Sequence, residues 1–152
     1  MQTKSESRIM NLSRLGAAAV YVLLDTLCVG VGMGVPIFCI ALGLLVGWYL
    51  ARRVMRQDLP MAATLRAVLK SAALSAGWTL LLMLLIWAPT ARMLFDPHAS
   101  LANFGIPLIL YDPTASFIGW LVLMILISPF LQLLMTLFAA HVTLARTRPG
   151  GH

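Results

Sequence analysis

The chain has 152 residues, of which 61% are hydrophobic and only 11% charged, with a net charge of +6. A water-soluble domain carries about 25% charged residues, so this composition excludes an ordinary soluble domain and calls for lipid as the covering solvent. The length allows one membrane domain over 1–152; the longest polar stretches are the first 14 residues and the last dozen.

The basic excess would point to nucleic acid in a soluble protein. Here Lys and Arg stand beside apolar runs, where they set orientation and meet anionic headgroups. No aromatic residues are interleaved with them in a polar segment, so the expected partner is the lipid bilayer and not nucleic acid.

At the N-terminus, Lys4, Arg8 and Arg14 followed by the apolar stretch 15–24 have the outline of a signal peptide. The apolar run continues past that point, Asp25 interrupts it, and no small-x-small cleavage site follows. It is therefore read as an uncleaved first span.

The run 15–51 contains a single charge, Asp25. As one helix it would measure about 55 Å against a hydrocarbon core of about 30 Å. Its middle holds alternate glycines and a proline, Gly30, Gly32, Gly34 and Pro36, a strong helix-breaking pattern. The run is thus divided into spans at 15–32 and 36–51 joined by a tight hairpin turn. A turn of this composition serves either as a plain connection or as a backbone-lined re-entrant site, and the plain connection is preferred. Gly43 and Gly47, a Gly-x-x-x-Gly pair in the second span, mark a helix-packing face within the chain or between copies.

After the second span comes the polar segment Arg52-Arg53-Val54-Met55-Arg56-Gln57-Asp58. Asp58 is the expected N-cap of the next helix, with Pro60 in its first turn. Residues 61–76, with Arg66 and Lys70 four apart, form an amphipathic lead-in suited to the membrane surface. The third span follows at 71–88.

Residues 92–113 form the outer loop, with two Asp-Pro pairs, Asp96-Pro97 and Asp112-Pro113, each able to cap a helix. Asp96, His98 and Asp112 are too few and too irregularly spaced to imply a metal site, and capping accounts for both aspartates. The fourth span, 116–140, contains Pro129, which should kink the helix and free the carbonyl of Ile125.

The fold expected is an all-α membrane bundle of about four transmembrane helices with both termini inside. That arrangement puts ten of the eleven basic residues on the inner side and leaves only Arg92 outside. If 15–51 crossed once, the five basic residues of 52–70 would move outside. Trp48, Tyr49, Trp87 and Trp120 fall near span ends, as an aromatic belt requires.

Asp25 is the most informative residue, because an ionisable group inside a span is costly. It serves either as a proton or cation site or as a packing lock satisfied locally by Tyr21 and Thr26. Counting helical rise from the inner ends of the spans places it about 16 Å deep, level with Thr79 and Gln132. An intramembrane polar layer of Asp25, Thr79 and Gln132 is therefore expected. Cys28 and Cys39 flank the turn at similar distances; a disulfide across the outer end of the hairpin is one reading, and free apolar thiols are the preferred one. The nine methionines form no cluster that would hold a metal.

No HExxH, GxSxG, P-loop or dinucleotide fingerprint is present, so no catalytic residue, cofactor or metal is assigned. The leading expectation is a non-catalytic accessory or assembly subunit, partnered with itself or another membrane protein. The alternative is a small oligomeric transporter or channel using Asp25; a lipid enzyme working through Asp96, His98 and Asp112 comes third. Arginine outnumbers lysine nine to two, which points to a GC-rich bacterial genome and so to the cytoplasmic membrane.

Overall fold

The fold was analysed in a computed structural model that describes residues 13–31, 37–57, 60–101, 105 and 111–147. All regular structure among the described residues is helical, and none is strand. In chain order the elements are α1 (Arg14–Val31), α2 (Ile37–Met55), α3 (Met61–Ala91), a 3₁₀ turn (Arg92–Phe95), α4 (Pro113–Val122), a π turn (Leu123–Ile127) and α5 (Ser128–Thr147).

Among the described residues, three helical segments are long and apolar enough to cross a membrane: Ile37–Met55, Met61–Phe95 and Pro113–Thr147. The apolar helix Leu15–Gly30 is shorter. Large apolar side chains such as Leu23, Leu45, Leu74, Leu85 and Phe130 are exposed on the outside of the bundle. A surface of that kind requires an apolar surrounding.

The elements follow from spacing. Buried residues of α2 recur as Cys39, Leu42, Gly43, Gly47, Ala51 and Val54, one stripe at helical period. On α3 the stripe is Thr64, Val68, Ala72, Ser75, Thr79 and Met83, mostly small or hydroxylated residues. The α5 stripe runs through Ser128, Gln132, Thr136, Ala140 and Leu144. Small residues let backbones approach closely, which is the main source of packing between helices in lipid.

Two glycines set the tightest seam. A Cβ at Gly43 would lie 2.7 Å from the Gln132 carbonyl oxygen and 3.1 Å from Thr136 Oγ1. At Gly47 it would overlap the Thr136 carbonyl oxygen and stand 2.9 Å from the Ala140 nitrogen. The Gly-x-x-x-Gly face therefore packs α2 on α5 within one chain.

Two apolar clusters bracket the interior. At the basic end, Ala51, Val54, Val68, Ala140 and Leu144 join α2, α3 and α5. Toward the other end, Val29, Cys39 and Met83 join α1, α2 and α3, with Cys28 and Trp87 against them. Both cysteines are free thiols.

Several expectations change. The lead-in 61–76 and the span 71–88 are one helix, Met61–Ala91, which Pro89 does not end. The lead-in does not lie flat on a surface, because Thr64 and Val68 are buried on the same stripe as the span, with Val68 in the basic-end cluster. Proline late in a helix removes only one bond near the end, so the helix runs two residues further. Pro60 itself occupies the N-cap position, with no side-chain bond, and Asp58 lies outside the described residues.

The two Asp-Pro pairs behave differently. Asp112 caps α4 by accepting the Thr114 N–H at 2.8 Å, with Pro113 at the first helical position. Asp96 follows the 3₁₀ turn and accepts the His98 N–H at 2.9 Å, so it closes a turn and starts no helix. Most of the stretch 101–110 lies outside the described residues. Before Pro129 the helix widens into the π turn, with the Ser128 N–H bonded back to the Leu123 carbonyl. Proline supplies no N–H, and the preceding bonds shift register around the vacated carbonyl.

Candidate functional site

Between the two apolar clusters lies a buried polar layer drawn from three helices. Asp25 of α1, Thr79 of α3 and Gln132 of α5 are each fully buried. Thr79 Oγ1 donates to Asp25 Oδ2 at 2.9 Å. Gln132 Nε2 donates to Asp25 Oδ1 at 3.4 Å and to the Tyr21 hydroxyl oxygen at 3.0 Å. The Tyr21 hydroxyl donates to the Ser75 carbonyl at 2.8 Å and touches Thr79 Oγ1 at 2.9 Å. From α2, the Cys39 thiol also reaches the Asp25 carboxyl.

Helical spacing creates this layer. Tyr21 and Asp25 are four apart on α1, as are Ser75 and Thr79 on α3, and Ser128, Gln132 and Thr136 on α5. Residues four apart share a helix face, so each helix brings two or more polar groups to the same line. The Thr136 hydroxyl turns back to the Gln132 carbonyl at 2.8 Å, next to Gly43.

Local satisfaction of Asp25 by Tyr21 and Thr26 does not occur. Tyr21 crosses to α3 and α5, and Thr26 is exposed and bonds the Val22 carbonyl of its own helix at 2.7 Å. Tyr21 is thus a bridging member of the layer. Ser75, Ser128 and Thr136 also belong to it and were not singled out from the sequence. The four-residue polar periodicity inside apolar spans was the signal that marks them.

Two polar atoms in this region have no hydrogen-bond partner among the described residues: Gln132 Oε1 and Ser128 Oγ. Buried polar groups are nearly always paired; the other buried side-chain atoms without a partner among the described residues, Arg52 Nε and the indole nitrogens of Trp78, Trp87 and Trp120, are donors, so these two oxygens one turn apart on α5 are the unpaired acceptors there.

Of the remaining predicted residues, Gly43 and Gly47 form the α2–α5 seam. Gly30 is in the last turn of α1 and not in the connection, and a Cβ there would meet nothing within 4 Å. Gly32, Gly34 and Pro36 lie outside the described residues. Among the described residues no group of three His, Cys, Asp or Glu side chains is placed to hold a metal. At the basic end, Arg52 stands over the Trp48 ring, and Arg53 over the Tyr49 ring while donating to its hydroxyl at 2.6 Å.

Comparison of the chain with protein-family models, with curated proteins and with solved structures yields no match.

Proposed function

We propose that this chain is an integral protein of the bacterial cytoplasmic membrane, crossing the bilayer four times with both termini inside. We further propose that it acts without catalysis, as an accessory or assembly subunit working through helix packing with itself or another membrane protein. The observation that carries this reading is the asymmetry of α1. One face joins the bundle through the polar layer and Val29. The opposite face, with Val20, Leu23, Leu24 and Leu27, is apolar and exposed. At about 27 Å for 18 residues, α1 nearly matches the hydrocarbon core of about 30 Å. Its open face would meet lipid or a partner helix.

Topology is tested by single cysteine reporters at Met33, Arg56 and Ala99 in a background free of Cys28 and Cys39. Labelling from outside at positions 33 and 99 but not at 56 is the four-span result. Labelling at 56 from outside would mean that 15–51 crosses once, and the reading fails. The role is tested by replacing Asp25 with Asn and measuring co-purification of membrane partners, self-association and ion flux. Lost association with unchanged flux supports the subunit reading.

A second reading, a small oligomeric transporter or channel, is favoured by one specific observation. Among the described residues, the Asp25 carboxylate is met by neutral donors, with no cationic side chain among its partners. Lost flux with association intact in the same variant would replace the first reading with this one.

A further inference from the structure

Among the described residues, the interior of the bundle holds one carboxyl group, with several neutral oxygen atoms and no cationic side chain bonded to it. The groups facing Asp25 can be named from every helix packed on it. Along α1 they are Tyr21 and Cys28, from α2 Cys39, from α3 Thr79, and from α5 Gln132. Three of these titrate, Tyr21, Cys28 and Cys39, and none is ever a cation. Burying an unpaired carboxylate costs more than two neutral donors return.

The surroundings are rich in oxygen on the α5 side. Gln132 Oε1 and Ser128 Oγ are unpaired, both residues are fully buried, and they stand four apart on one helix face. They lie where the π turn and Pro129 interrupt the regular bonding of the helix. Such interruptions concentrate at functional sites, and broken helices in transporters hold cations there.

The Gln132–Asp25 contact is itself informative. At 3.4 Å it is long for an N–H···O bond, which prefers 2.7–3.2 Å. As the amide stands, Nε2 and not the unpaired Oε1 faces Asp25; turning the amide by half a turn would put Oε1 where Nε2 now is and Nε2 in the place Oε1 leaves. Two oxygens about 3.4 Å apart are the spacing of neighbouring ligands at right angles around a cation with oxygen distances of about 2.4 Å. After the same turn the single Tyr21 proton could pass from the Ser75 carbonyl, 2.8 Å away, to the amide oxygen at the present 3.0 Å.

We propose that this layer binds a single monovalent cation of sodium size, held by the Asp25 carboxylate, the Gln132 amide oxygen and the Thr79 and Ser128 hydroxyls. One charge on the site sets one charge on the ion. The binding site goes beyond the proposed subunit role and requires neither transport nor assembly.

The test uses the purified full chain in detergent. Thermal unfolding is followed by tryptophan fluorescence in sodium chloride against choline chloride at equal ionic strength, at pH 6 and pH 8. A cation bound only by the folded chain raises the midpoint with its concentration. Equilibrium binding of radioactive sodium supplies the stoichiometry. The expected result is one sodium per chain and a midpoint that rises with sodium but not with choline. Asp25→Asn should abolish the sodium response, and Ser128→Ala should weaken apparent affinity several-fold while the protein stays folded. If Asp25→Asn does not fold, the wild-type binding isotherm and Ser128→Ala decide alone. Three results would overturn the proposal: no sodium binding to folded wild-type protein, a sodium response retained by Asp25→Asn, or a midpoint that follows pH and ignores sodium. The last would mean that the carboxyl is neutralised by a proton. None of these results bears on association or topology, so this inference and the proposed function fail independently.

Discussion

The α2–α5 seam and the attachment of α1 are built from opposite chemistry. The seam is a backbone-to-backbone contact: Gly43 and Gly47 bring α2 against the carbonyls of Gln132 and Thr136 with no room for a methyl group. Helix α1 has no such seam. It is joined through hydrogen bonds of Tyr21 and Asp25 and a small contact at Val29. Close packing gives many weak contacts that cannot be lost singly, whereas a polar attachment depends on a few groups that can. The comparison makes α1 the separable part of the bundle, and α2, α3 and α5 its frame.

The largest expected effect strikes the frame. Gly47→Leu sets a side chain against the Thr136 carbonyl and the Ala140 nitrogen, neither of which can rotate aside. The variant should lose about 3 kcal/mol, seen as a lower yield of monodisperse protein and earlier thermal unfolding. A midpoint equal to wild type would show that the seam is not close-packed.

Asp25→Ala comes next and should act locally. It leaves the Thr79 and Gln132 donors buried without their acceptor, at a cost of about 2 kcal/mol. Hydrogen exchange in the variant should accelerate over α1 and leave α2 and α5 protected. Uniform loss of protection in all helices would erase the distinction between frame and attachment.

Thr79→Val should be milder. It removes one interhelical bond worth about 0.6 kcal/mol, while Tyr21 keeps its bond to the Ser75 carbonyl. A cost as large as that of Asp25→Ala would mean that Thr79, and not the carboxylate, organises the layer. Smallest of all, Thr26→Val should stay within about 0.5 kcal/mol of wild type in the same unfolding assay, because its hydroxyl bonds only its own helix. A larger loss there would place Thr26 in the attachment after all.

Much of this protein was legible without coordinates. Composition demanded lipid. Long apolar runs marked membrane-length helices, and the rise per residue grouped Asp25, Thr79 and Gln132, which the structure joins by hydrogen bonds. These are local or one-dimensional properties: hydropathy, helical period and length.

What tertiary structure decided is which neighbour each face meets. A glycine pair states that something comes close; only the packed bundle shows that the something is α5 of the same chain. The sequence offered Tyr21 and Thr26 equally to Asp25, yet the direction of each side chain on α1 sends Tyr21 across to two helices and leaves Thr26 outside. The lead-in joins α3 rather than a membrane surface because Val68 finds Ala51 and Ala140, a contact that no local pattern records. Helical period places side chains on faces, and the free energy of packing then pairs those faces across distances in sequence that period cannot see.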